Sequence, residues 1–179
     1  MPTQPLGWFK KEMTSAGDLN GVKYRTVGLS ADLFKEMGAA VTIMGGGEIV
    51  PAMDRGLLDA AEFNNPSSDK LLGFADVSKD YMLQSYHQSA ESFEIVFNKA
   101  KFDALAPELQ AIIKYASEAS SADMSWKAMD RYSTDLAALK EAGVKVHKTP
   151  DSVLQAQLAA WDKVLAAQSA EPFFAKVLE

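Results

Sequence analysis

The chain has 179 residues, 47% hydrophobic and 23% charged, enough apolar material for one domain or two small ones with a proper core. Its 24 acids outweigh 18 bases, a formal charge of −6, and no run of Lys or Arg builds the basic face a general nucleic-acid binder needs. The absence of cysteine removes disulfides, cysteine zinc sites and cysteine nucleophiles, and two histidines far apart in sequence, His87 and His147, do not make a histidine-rich metal site.

The opening MPTQPLGWFKKEM lacks the basic start, apolar middle and small-residue end of a signal peptide. Pro2, Pro5, Gly7 and Trp8 read instead like the interior of a domain, so the chain is expected to be a fragment. SAGDLNG is a turn or a short helical segment, and VKYRTV (22–27) alternates apolar and polar residues as a strand does. SADLFKEMG has Ser30 as a cap, Leu33, Phe34 and Met37 as an apolar stripe and Gly38 as a stop, which predicts a helix. AAVTIM is a second strand, EIVPAMDRG a helix ending at Gly56, and LLDAAEF a third strand. This strand–helix alternation over 22–63 predicts a parallel sheet with right-handed crossovers.

DKLLGFADVS reads as a helix, and DYMLQSYHQS and ESFEIVFN as extended segments, the second with one face buried. From Pro107 to Ala142 there is no glycine and no second proline. Apolar residues from Leu109 through Trp126 and Met129 to Leu139 recur at steps of three or four, which predicts one helix about 50 Å long with that stripe packed. Gly143 stops it, VKVH is a short strand, a last helix starts after Pro150, and Pro172 breaks it ahead of FFAKVLE. No apolar run reaches the roughly 18 residues of a membrane span.

Few residues invite chemistry. Gly45–Gly47, between strand and helix, is either a tight turn or an anion-binding loop; it fits neither the P-loop nor the dinucleotide fingerprint. Arg25 in its strand suits a carboxylate ligand or a structural ion pair. Glu62, at the end of an apolar strand, lies where open α/β sheets bind ligands, or is a solvated strand end. Asn64 and Asn65 are ordinary turn residues before Pro66. His87 can titrate near neutrality, but no acid or nucleophile is placed in the sequence to form a triad with it.

Together, QPLGWFKKE, DLNGVKYRTVGLSADLFKEMGA, GGGEIVPAMDRGLLDAAEFNNPSSDKLLGF and VFNKAKFDAL resemble the solute-binding proteins of TRAP transporters, in particular the subgroup for 2-oxo acids and related monocarboxylates. The resemblance implies an α/β type II periplasmic binding protein-like lobe, a fragment of a two-lobe fold. Its parts would be a ligand-binding second lobe at 1–105, a long connecting helix and return strand at 106–148, and a C-terminal helix at 149–179 that exchanges between partners of a homodimer. It implies a periplasmic protein that captures a small organic acid for TRAP membrane subunits, with no nucleic acid and no catalysis. Arg25 would clamp the ligand carboxylate. Gln4, Glu62 and the Phe63 carbonyl would hold Na⁺ or Ca²⁺, a hard-oxygen set. Tyr86 and Glu94 would face the ligand, and His87 departs from an aromatic pair. With half the pocket walls missing, the chain alone is expected to bind weakly or not at all. The alternative is a small α/β enzyme acting on an organic acid, with Glu62 or His87 as base.

Overall fold

Apolar residues concentrate in very short strands, and the computed structural model, which describes residues 4–179, shows why so little strand suffices. Pro2, read above as domain interior, lies outside the described residues. In chain order the elements are β1 (Gly7–Phe9), a 3-10 turn (Ala16–Leu19), β2 (Lys23–Arg25), α1 (Leu29–Glu36), β3 (Ala40–Thr42), α2 (Gly46–Asp54) and β4 (Ala60–Ala61). There follow α3 (Pro66–Leu72), α4 (Phe74–Val77), β5 (Asp80–Met82), α5 (Lys99–Asp103), α6 (Pro107–Glu141), β6 (Lys145–His147), α7 (Asp151–Gln168) and α8 (Pro172–Leu178).

The strands form one sheet in the order β3-β2-β4-β1-β5-β6. β3, β2 and β4 run parallel with α1 and α2 as crossovers, as the strand–helix alternation predicts. β1 was not among the predicted strands: its Gly-Trp-Phe is buried throughout and has no polar alternation to read. It runs antiparallel between β4 and β5 and so joins the two halves of the sheet. Gly7 permits this approach, because it sits at φ 115° and a Cβ there would lie 2.3 Å from the Ala61 carbonyl oxygen.

The two faces of the sheet carry two cores. Trp8, Ala61 and Tyr81 face one side and pack with Ile49 and Met53 of α2, Phe74 of α4 and Leu139 of α6. Phe9, Ala60, Tyr24 and Met82 face the other, against Leu33 and Phe34 of α1 and Val153 and Ala160 of α7. This is the period-two alternation of a pleated strand. Trp8 stacks on its cross-strand partner Tyr81 with ring centroids 4.2 Å apart.

Three expectations change. The helix over DKLLGFADVS is two, α3 and α4, divided by Gly73 at φ 85°. ESFEIVFN is not a half-buried strand: residues 92–98 are irregular and exposed, with Val96 81% accessible. Alternation marks a face that can be buried, and among the described residues no strand pairs with it. Trp126 and Met129, read as packing, are each 72% exposed, and among the α6 residues only Ala128 and Leu139 are buried. A helix about 50 Å long outruns the lobe it leaves. In the last long helix, Val153, Gln157, Ala160 and Val164 of α7 are buried. No helix of the described residues is long and apolar enough to cross a membrane.

Candidate functional site

Parallel pairing of β2 with β4 sets Arg25 opposite Ala61, so the end of β2 and the residue after β4 meet at one edge of the sheet. Arg25 and Glu62 are 4% and 2% exposed. Arg25 Nη1 donates to the Glu62 carboxylate at 3.1 Å and to the Glu62 carbonyl at 2.8 Å. Its Nε and Nη2 donate to the Met44 carbonyl at 3.1 and 2.9 Å. These contacts use four of the five guanidinium N–H donors, so gripping an external carboxylate with two of them requires exchanging a contact within the chain. Burial raises the Glu62 carboxyl to about 7; Arg25 and the Thr26 hydroxyl pull it down, and the nearby Asp69 and Glu91 push it up.

The segment before β1 delivers Gln4 to the same place. Its backbone N–H is held by the Gln88 carbonyl at 3.1 Å. Its side-chain Nε2 donates to the Phe63 carbonyl and to Glu91 Oε1, each at 2.9 Å, while Oε1 meets His87 Nε2 at 2.8 Å. His87 Nε2 also lies 4.0 Å from Glu62 Oε2. Asn64 Nδ2 donates to the same Glu91 oxygen. Gln4, Arg25, Glu62 and the Phe63 carbonyl are therefore brought together, with Asn64, His87 and Glu91 around them.

Two predicted residues lie elsewhere. Tyr86 is 43% exposed and flanks α7, beside Leu29, Leu158 and Trp161. Its backbone is bound there, with the N–H on Gln157 Oε1 and the carbonyl on Trp161 Nε1, both at 2.8 Å. Glu94 is exposed in the irregular segment. The acid at the cluster is Glu91, buried, with its carboxyl raised mainly by that burial. Nothing in the local sequence separates Glu91 from Glu94, since both sit in the same unperiodic stretch. Asn64, read as a turn residue, gave no signal either.

The glycine run has a structural role. A Cβ on Gly46 would lie 2.5 Å from Phe63 Cε2, so the space belongs to the Phe63 ring. The Gly45 N–H is already taken by Glu48 Oε2 at 3.0 Å, which favours the tight turn over an anion site. His87 is not as isolated as the sequence suggests, for Ser85 Oγ is 2.6 Å from its Nδ1. Ser85 is 2% exposed, however, and its oxygen accepts from Gln157 Nε2 at 2.7 Å, so it is a buried structural partner and not a presented nucleophile. Burial lowers His87 to about 3 and keeps it neutral.

The arrangement can accept a cation. The Gln4 NH₂ already places a positive dipole between the Phe63 carbonyl and Glu91, and the surrounding donors are hard oxygens. Among the described residues no three His, Cys, Asp or Glu side chains gather as a metal site, so such an ion would rely on a mixed set of amide, carboxylate and carbonyl.

A family model described as bacterial extracellular solute-binding protein, family 7 (DctP), matches residues 4–171. The monocarboxylate 2-oxoacid-binding periplasmic protein of Nostoc sp. is 36% identical over 111 residues, 62% of this chain and 30% of that protein. A TRAP periplasmic solute-binding protein of Colwellia psychrerythraea, solved with calcium and pyruvate, superposes with a TM-score of 0.90 at 31% identity, covering 99% of this chain and 55% of that one. One from Pseudoalteromonas atlantica, solved with sodium and pyruvate, gives 0.89 at 29% identity, covering 99% and 54%. The chain thus spans about half the length of the solved relatives, and the match to the Nostoc protein covers less than a third of that protein.

Proposed function

Because the chain belongs to the family 7 bacterial extracellular solute-binding proteins, we propose that it forms one wall of a site for a small 2-oxo acid or related monocarboxylate, bound together with Na⁺ or Ca²⁺. The observation that carries this reading is the convergence of Gln4, Arg25, Glu62 and the Phe63 carbonyl at the C-terminal ends of β2 and β4. That is the edge where open α/β sheets hold ligands. Arg25 would turn part of its fork from Glu62 and Met44 to the ligand carboxylate. The cation, held by Gln4, Glu62 and the Phe63 carbonyl, would supply the positive charge that offsets repulsion between that carboxylate and Glu62. Glu91, and not Glu94, would be the acid nearest the ligand's keto or hydroxyl oxygen. Closure of a second wall, without bond chemistry, would be the functional event; the protein would act in the periplasm and hand the acid to TRAP membrane subunits.

The test is an NMR titration of the 179-residue chain with excess pyruvate, with and without calcium. Weak, calcium-dependent shifts at the Arg25, Glu62 and Phe63 amides are expected, and they disappear in Arg25→Ala. Shifts that ignore calcium or survive Arg25→Ala would overturn the assignment.

A further inference from the structure

A buried acid stands directly behind one of the candidate cation ligands. The Phe63–Asn64 peptide is trans, so its carbonyl and its N–H point in opposite directions. The carbonyl points into the cluster, where Gln4 Nε2 donates to it at 2.9 Å. The N–H at the other end donates to Asp69 Oδ1 at 3.2 Å. The preceding carbonyl, of Glu62, is turned elsewhere and accepts from Arg25 Nη1 at 2.8 Å. Asp69 is 1% exposed, and its other oxygen accepts from Trp8 Nε1 and Tyr81 OH, each at 2.9 Å. Those two side chains are cross-strand partners on β1 and β5, so the carboxylate is anchored to the sheet. Its own N–H donates to the Asn65 carbonyl at 2.9 Å, in the first turn of α3, which keeps it beside the turn it holds.

A carboxylate on an amide N–H does two things to the carbonyl at the other end of that amide. It fixes the peptide plane, and with it the direction of the oxygen. It also polarises the amide and leaves more negative charge on that oxygen, since hydrogen bonds in a chain reinforce one another. A carboxylate behind a metal-bound histidine raises the basicity of the ligand in the same way. We propose that Asp69 is a positioning residue for the cation: through the Phe63–Asn64 peptide it aims the Phe63 carbonyl at the ion and strengthens that oxygen as a ligand. The Asp69 charge already reaches the cluster, where it pushes the Glu62 carboxyl upward. Trp8 and Tyr81, core residues of the sheet, thereby act on the site through the acid they hold. The inference rests on the cation reading of the site given above.

The test is a calcium titration by NMR with pyruvate in fixed excess, at about pH 8, above the range in which Asp69 titrates. In the unsubstituted chain an ion on the Phe63 carbonyl tightens the bond from the Asn64 N–H to Asp69. The Asn64 amide proton is therefore expected to move downfield as calcium is added, a response that a residue merely stapling the turn would not give. Asp69→Asn keeps the size of the side chain and an acceptor for that N–H but removes the charge. Its Asn64 proton should start upfield of the unsubstituted one. Its calcium affinity should fall roughly ten-fold, the usual loss when a partner behind a metal ligand is removed. An Asn64 proton that stays in place or moves upfield while the unsubstituted chain takes up calcium overturns the role of Asp69 alone, and this measurement decides where Asp69→Asn does not fold. Calcium affinity undiminished in a folded Asp69→Asn chain overturns it equally. Failure of the unsubstituted chain to take up calcium overturns the cation reading together with it.

Discussion

Asp69 receives Trp8 Nε1 and Tyr81 OH on one oxygen, each at 2.9 Å, and the Asn64 N–H on the other at 3.2 Å. It is 1% exposed, and burial raises its carboxyl from 3.8 to about 6 even though all these donors favour the ionised form. A carboxyl whose folded pKa exceeds its unfolded value stabilises the fold while protonated. Its contribution is therefore whole below about pH 4 and is lost as pH rises through about 6, worth roughly 3 kcal/mol. Urea midpoints measured across that window should fall with rising pH, and should fall less steeply in Asp69→Asn. An equal slope in the variant would remove Asp69 as the source. The sequence showed Asp69 only as one acid in a helix. Its partners come from β1 and β5, brought beside it by the sheet, so no local pattern could mark it. Arg25 and Glu62 were legible as candidates because one is a charge within a short strand and the other ends an apolar strand, whereas Glu91 lies in a stretch with neither mark.

At the scale of elements, α3 shows how far local chemistry reaches. Asn65 accepts from the Ser67 and Ser68 N–H groups at 3.1 and 3.0 Å, Pro66 follows at the first helical position, and Gly73 closes the helix at φ 85°. Each of these residues does what its own backbone preference favours. Asn65→Ala should cost about 1 kcal/mol in urea unfolding and loosen the turn that carries Asn64; a change below a few tenths would mean the cap contributes little. Elements whose pattern depends on a distant neighbour fared worse. The stretch 92–98 alternates like a strand and pairs with nothing among the described residues, and the stripe of α6 is an exposed surface over most of its length. In β1 the error ran the other way, because a strand buried on both faces has no alternation to display.

For the whole molecule, the two cores are separated by the sheet, and α7 completes one of them. The segment predicted as an exchange element divides at Pro172: α7 packs into the lobe along one face, with Leu158 45% exposed on another, and α8 buries none of its residues, with Phe173 74% and Val177 66% exposed. If the protein pairs through its C-terminus, α8 is the segment to do it. A chain ending at Ser169 should keep its melting temperature within a few degrees, since no α8 residue is buried, and, if α8 pairs two copies, should run as a monomer by light scattering beside a dimeric full chain. A dimer that survives the truncation would move the interface away from the tail.

The sequence by itself determined the class of fold, the parallel β2–β4 core, the long α6 and the likeness to a family of carboxylate-binding proteins, because these depend on periodicity, caps and the order of segments along the chain. Only the tertiary structure decided which acid joins Gln4, how the Arg25 fork is occupied, and that His87 connects the site to α7. Those contacts join residues 37 to 87 positions apart. A hydrogen bond across such a separation is set by strand order and helix packing, and neither partner carries a local mark of the other.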